Sequence, residues 1–325
     1  MTTSAAAADE PGPDAAGRFV HDLLLYATER EYLDATVPFL SDSLAAGTPT
    51  LVAAPPRNAA WITRALGPRA EKVHVIDMTI DGRNPGRIIP AVLRSFVDEH
   101  AGRPFAIVSE AVWPGRSNAE YPVCVQHEAM VNVMFEGHAG TVLCPADRAL
   151  EPETLRDLCR THPMVIVNGE RGPSIGFTDP DTVVREFNLP LPAPGPGTPV
   201  LDFAGIDDLP RLREFVGRHA GAAGLVHDRS IDLQMAANEI ATNTIRHAGG
   251  PGAARVWAED GHVICEITDA GHIADPLAGR LAPPVTSEAG RGLLVINYLC
   301  DLVRLYSVPG RTAIRMFMRL GQGGP

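Results

Sequence analysis

Two successive units, an α/β domain on a mainly parallel sheet and an α+β sandwich, are the fold class this sequence predicts. Three observations carry it. Short apolar runs alternate with amphipathic stretches through the first half. A proline-rich stretch follows, Leu189-Pro-Leu-Pro-Ala-Pro-Gly-Pro-Gly-Thr-Pro199. Beyond it, two helical patterns come before a run of strands. A chain of 325 residues is long enough for two domains, each with its own core.

In the first unit, strands are expected at His21–Tyr26, Thr50–Ala54, Val73–Asp77, Phe105–Ser109, Thr141–Cys144 and Met164–Val167. Helices are expected between them at Arg30–Ala46, Asn58–Leu66, Gly86–His100, Glu120–Phe135 and Pro152–Arg160. The prolines of 187–199 can neither donate to a ladder nor continue a helix, so this stretch reads as a semi-stiff linker. The second unit should open with helices over Asp208–Ala223 and Asp228–His247. Strands Ala253–Ala258 and His262–Thr268 should follow, turned at Asp260-Gly261. A helix over Gly292–Cys300 and strands Val303–Ser307 and Thr312–Met318 complete a mixed, largely antiparallel sheet with helices on one face. The expected domains are 18–186 and 200–320, with a disordered start at 1–17 and a short tail at 321–325.

Composition narrows the function. A net charge of −11 argues against nucleic acid or an anionic membrane as the main partner. The five cysteines form no CxxC pair and one must stay unpaired, which fits a reduced compartment. The first residues lack the basic and apolar regions of a signal peptide, and no apolar run is long enough to span a bilayer. A cytoplasmic protein is expected.

Chemistry concentrates in the second unit. Glu239, Asn243 and His247 stand four residues apart on a helix whose separate apolar stripe is Leu233, Ala237, Ile240, Ala241 and Ile245, so all three should share one face. A carboxylate and a neutral carbonyl one turn apart suit a hard cation and a nucleophile that must lose a proton. Asp269-Ala-Gly271 follows at a strand end. Its carboxylate can accept a hydrogen bond from an exocyclic amine, and its glycine lets backbone approach a flat ring. Gly290-Arg-Gly292-Leu293 opens the next helix, where free N–H groups can cradle phosphate.

In that order, these motifs resemble the GHKL (Bergerat-fold) ATPases, and among them the anti-sigma-factor serine/threonine kinases. Glu239-x-x-x-Asn243-x-x-x-His247 resembles the N box, Asp269-x-Gly271 the G1 box and Gly290-x-Gly292-Leu293 the G2 box. Gly310-Arg-Thr312 looks like the element that closes near adenine. The resemblance implies ATP and Mg²⁺ as cofactors. Asn243 would hold the metal, Glu239 would orient or deprotonate the attacking hydroxyl, and Asp269 would read the base. His247, Gly271, Gly290, Gly292, Leu293 and Thr312 would complete the nucleotide site. The family's G1 box has a second glycine where this chain has Ile273. The loop between the boxes is short, and no heptad-patterned hairpin with a phosphoacceptor histidine precedes the ATPase.

The first unit lacks a P-loop. Residues 19–178 resemble the MEDS sensory domain, regarded as a degenerate relative of RecA-like ATPases. The carriers are His21-Asp-Leu-Leu-Leu-Tyr26, Leu44-Ala-Ala-Gly47, Ser109-Glu-Ala-Val-Trp113, His127-Glu128 with Asn132, Leu143-Cys-Pro-Ala-Asp147 and Thr161-His-Pro163. Open α/β sheets bind ligands at the carboxyl ends of their strands. His21, Glu110, Trp113, His127, Asp147 and His162 are therefore the candidate sensory residues, with Cys144 at a strand end beside them. Cys124-x-x-His127 has metal-like spacing but no second pair, so no metal centre is expected there.

The leading expectation is a bacterial signalling regulator whose sensory unit governs an anti-sigma-type kinase. It would phosphorylate a Ser or Thr of an antagonist protein and could also bind a sigma factor. Dimers are compatible with the family resemblance. The alternative is a catalytically weak or inactive nucleotide-binding module that sequesters a partner.

Overall fold

The computed structural model describes residues 18–275, 277–280 and 292–321. The predicted G2 glycine Gly290 lies outside the described residues, as do 1–17 and 322–325.

The first unit alternates as its hydrophobic pattern requires. It runs β1 (Phe19–Tyr26), α1 (Glu29–Ala45), β2 (Thr50–Ala54), α2 (Pro56–Leu66), β3 (His74–Asp77). A short α3 (Pro85–Arg87) continues through a π-helical turn, Ile88–Leu93, into α4 (Arg94–Glu99). Then come β4 (Phe105–Ser109), α5 (Tyr121–Met134), β5 (Gly140–Asp147), α6 (Pro152–Thr161), β6 (Met164–Val167), β7 (Glu170–Pro173) and α7 (Pro180–Glu186). The strand order is β3-β2-β4-β5-β1-β6-β7. Every pairing is parallel except β6 with the edge strand β7. β2 and β4 are buried along their whole length, which explains why they read as unbroken apolar runs.

Among the features that escaped the sequence pattern are α7, β7 and the full length of β5. β7, Glu-Arg-Gly-Pro, has no apolar alternation, and pairing after the tight turn at Asn168 and Gly169, both at positive φ, creates it. β5 runs on from Cys144 to Asp147 through Pro145, so Cys144 lies inside the strand rather than at its end.

The second unit comprises β8 (Val200–Phe203), α8 (Leu209–Ala222), α9 (His227–Asn243), β9 (Gly252–Glu259), β10 (His262–Asp269), α10 (Gly292–Leu299), β11 (Leu302–Val308) and β12 (Arg311–Arg319). The sheet order is β11-β12-β10-β9-β8, and all described pairings are antiparallel, so the expected mixed sheet is corrected. Asp260 and Gly261 both take positive φ, the backbone a type I′ hairpin demands. Phe215, Leu233, Ile240, Val256, Ile267, Ile314 and Met316 form the core between helices and sheet. Among the described residues no helix is long and apolar enough to cross a membrane.

Polar contacts tie the first unit and the linker to the second unit. Asn84 donates to the backbone carbonyl (3.0 Å) and the Oδ1 (3.1 Å) of Asn297 on α10. Asn188 donates to the Ser307 carbonyl at 2.7 Å and accepts the Ser307 N–H at 3.1 Å.

Candidate functional site

A cavity of about 540 Å³ opens between α9, the ends of β10 and β12, and the start of α10. Asn243, His247, Asp269, Gly271, Gly292, Leu293 and Thr312 all line it. Residues separated by as many as 69 positions (243 to 312) thus converge on one space of ligand size.

The helix does not hold its register to His247. After Asn243 it relaxes into a π-helical turn, Thr244–Ala248, ended by Gly249 in the left-handed region. Glu239 and Asn243 keep the α-helical spacing and both approach Gly292, while the π-helical turn changes the spacing to His247. Asn243 and the exposed His247 reach the cavity, while half-buried Glu239 sits behind Gly292 and does not line it.

Gly292 is required by proximity. A Cβ there would come 2.8 Å from Asn243 Nδ2 and 3.2 Å from Glu239 Oε2. Gly271 is equally confined, since its Cβ would lie 2.9 Å from Asp269 Oδ1 and 3.0 Å from the Ala248 Cβ.

Asp269 is fixed at both oxygens. Thr244 Oγ1 donates to Oδ2 at 2.6 Å, and the Gly271 N–H donates to Oδ1 at 2.8 Å. Each carboxylate oxygen keeps acceptor capacity for a ligand donor. Thr312 donates to the Gly271 carbonyl at 3.1 Å and pairs with Ser307 Oγ at 2.8 Å. Ser307 Oγ in turn accepts the Ile273 N–H at 2.8 Å. Ile273 therefore does more than replace a glycine. It packs against the core and anchors one wall of the cavity.

Sequence reasoning missed Thr244 and Gly279. Thr244 reads as one more helix residue, and only the fold brings it to Asp269. Gly279 lines the cavity at positive φ, with its carbonyl held by Asn297 Nδ2 at 3.0 Å.

The candidate sensory residues divide into separate groups. Glu110, just past β4, is fully buried. It accepts Tyr32 Oη at 2.5 Å and Asn58 Nδ2 at 2.8 Å, and Asn58 also reaches Tyr26 Oη at 3.0 Å. Burial pushes the Glu110 carboxyl up to about 7, against the hydrogen bonds from Tyr32 and Asn58. Trp113 stands apart under the Arg116 guanidinium, 3.6 Å from its ring centre, and Asp147 caps its own turn through the Ala149 N–H. His21 and His162 lie beside each other on the other side of the sheet's central strands, their rings tilted by 40° with centres 4.0 Å apart. His127 is buried next to Glu128, and desolvation holds its imidazole down at about 3. The single convergent site expected from the strand ends is thus corrected to a buried, hydrogen-bonded carboxylate at Glu110 and a histidine cluster elsewhere.

An α/β unit on a mainly parallel sheet is thus joined to an α+β unit whose helices pack on an antiparallel sheet. Residues 20–163 match the family described as MEDS, the methanogen/methylotroph, DcmR sensory domain. Residues 204–318 match the histidine kinase-like ATPase domain. The chain therefore carries a MEDS domain followed by a histidine kinase-like ATPase domain. No curated protein matches it.

Among solved structures, the RsbU and RsbW domains of a Mycobacterium tuberculosis protein share 21% identity at a TM-score of 0.28, covering 38% of this chain and 33% of that one. The SiaB–SiaC complex from Pseudomonas aeruginosa shares 14% at 0.29, covering 36% and 88%. The Acinetobacter baumannii histidine kinase AdeS shares 9% at 0.23, covering 62% and 96%. The match spans only 33% of the length of the first of these chains.

Proposed function

We propose that the chain is an ATP- and Mg²⁺-dependent regulator of the anti-sigma kinase type, phosphorylating a serine or threonine of an antagonist protein under control of its MEDS domain. The observation that carries this reading is the convergence of Asn243, Asp269, Gly271, Gly292 and Thr312 on one cavity of about 540 Å³.

Asp269, oriented by Thr244 and Gly271, would accept the adenine amine. Asn243 would give Mg²⁺ an oxygen ligand, and the metal would neutralise phosphate charge. The first turn of α10 would direct its backbone N–H groups at the phosphates. Glu239, whose carboxylate approaches Gly292 at the start of α10, would orient or deprotonate the incoming hydroxyl.

Control by the first unit has a physical route. A cleft of about 280 Å³ between the units is lined by Gln126 and Asn188 on one side and by Ile273, Arg280, Asn297 and Ser307 on the other. Ile273 and Leu293 line both this cleft and the nucleotide cavity, so a shift of the first unit moves a shared wall.

Calorimetry with ATP, with and without Mg²⁺, should give binding that Asn243→Ala makes insensitive to the metal. Incubation with γ-labelled ATP and the antagonist should yield acid-stable phosphoserine or phosphothreonine in wild type alone. Equal labelling by the Asn243→Ala protein would refute the kinase assignment, and acid-labile phosphate on the chain itself would point to a histidine kinase. A second reading, a sequestering module without turnover, draws on the anchored Ile273 at the place of the second glycine. Partner capture indifferent to ATP and to Asp269→Asn would favour it.

A further inference from the structure

The MEDS domain buries four potential metal ligands at one point. His21 lies on β1 and Cys144 on β5, on the same sheet face as the parallel register pairs Leu23 with Cys144. Glu128 comes from α5, which packs over that face, and His162 from the turn between α6 and β6. All four are between 0% and 4% exposed, and their ligand atoms lie within 4.8 Å of one another.

Four of the six ligand-atom separations match those around a tetrahedral ion, and all six are within 4.8 Å. His21 Nε2 is 3.4 Å from Cys144 Sγ and 3.5 Å from Glu128 Oε2. His162 Nε2 is 3.5 Å and Cys144 Sγ 3.6 Å from the same carboxylate oxygen. A tetrahedral zinc site with ordinary bond lengths sets its ligand atoms roughly 3.3–3.6 Å apart.

Hydrogen bonds outside the cluster set the tautomers. Asn132 donates its amide to the Thr161 carbonyl at 2.8 Å, which turns Oδ1 toward His21 Nδ1 at 3.0 Å. His162 Nδ1 meets the Leu158 carbonyl at 2.8 Å. Both partners are acceptors, so each Nδ1 carries the proton and each neutral ring turns its Nε2 lone pair inward. His162 Nε2 makes no hydrogen bond at all. Two lone pairs thus face a buried carboxylate, an arrangement that calls for positive charge at the centre. Protonating both adjacent rings would place two cations side by side in a desolvated site. Histidines whose outer nitrogens are held by carbonyl oxygens are the usual arrangement around a bound metal.

We propose that His21, Glu128, Cys144 and His162 bind one Zn²⁺ in a closed tetrahedral site at the centre of the MEDS domain. Binding releases the Cys144 thiol proton to solvent as the Zn–S bond forms. One thiolate and one carboxylate then balance the dication, and two neutral imidazoles complete a site of zero net charge, which a fully buried position tolerates. With four protein ligands and no open position, the ion ties β1, β5, α5 and the start of β6 together and performs no chemistry.

The full chain, purified after growth with zinc, should contain about one zinc per molecule by elemental analysis. Exchange for Co²⁺ should produce a near-ultraviolet thiolate-to-cobalt band and strong visible bands of tetrahedral cobalt. Cys144→Ser should lose the thiolate band, and Cys124→Ala, a buried cysteine outside the cluster, should keep it. Folded wild type without metal and without the band would overturn the proposal, even if the Cys144→Ser protein failed to fold. Persistence of the band in Cys144→Ser, or its loss in Cys124→Ala, would overturn it too, leaving an adventitious ion only.

Discussion

The histidine cluster of the first unit and the cavity of the second are built on opposite plans. The cluster points charged and titratable side chains inward, closes them from water and leaves room for a single ion. The cavity is open, is lined by Ile240, Ile273, Leu293 and Ile314 together with glycines and alanines, and carries the firmly held carboxylate of Asp269. Desolvation explains the contrast. A closed site must reach near-zero charge by itself, whereas an open one can share a charged ligand with solvent.

Glu110 gives that comparison its largest test, because it is closed off like the cluster yet has only hydroxyl and amide partners. Its carboxyl is raised from the ordinary 4.5 to about 7 by burial. Between those values the folded chain keeps a proton that the unfolded chain releases, so this stabilising contribution is full below pH 4.5 and is lost as pH rises toward 7. The loss is about 3 kcal/mol. In denaturant unfolding, wild type should therefore lose about 3 kcal/mol more than Glu110→Gln between pH 4.5 and 8. Parallel pH profiles for the two proteins would show that burial does not govern this carboxyl.

Asp269→Asn probes the open site. Its oxygen contacts with Thr244 and Gly271 can partly survive, so the change falls mainly on the ligand. ATP affinity should drop roughly 10–100-fold by calorimetry, with weaker discrimination against GTP. Unchanged affinity and selectivity would remove Asp269 from base reading.

The contacts between the units allow the same contrast on a smaller scale. Asn84→Ala strips buried Asn297 of its partner and should cost about 1–2 kcal/mol in unfolding free energy. Arg83 pairs with Asp301 at 3.2 Å but is 39% exposed, while Arg229 also serves that carboxylate at 2.9 Å. Arg83→Ala should change stability by less than about 1 kcal/mol, and a larger loss than for Asn84→Ala would reverse the ranking by burial.

Read as a sequence, the chain already yields most of its elements. β2, β4 and β6 appear at their observed limits, because continuous apolar runs bounded by polar turns have few alternatives. The Asp260-Gly261 turn is legible because its backbone needs residues that accept positive φ. β7 and β8 are not, since short edge strands owe their form to a neighbour's hydrogen bonds rather than to their own pattern.

For the sites, sequence alone determined which residue types were available and that Asn243, Asp269, Gly292 and Thr312 recur in a nucleotide-like order. Tertiary structure alone decided the rest. It relaxed the helix before His247 and set Glu239 behind Gly292. It also separated Glu110 from the histidines and brought Glu128 and Cys144 beside the His21–His162 pair. Helical and strand periods fix which way neighbours along one element point. A meeting of four elements depends on sheet order and on how α5 packs across β1 and β5, and neither is written in local spacing.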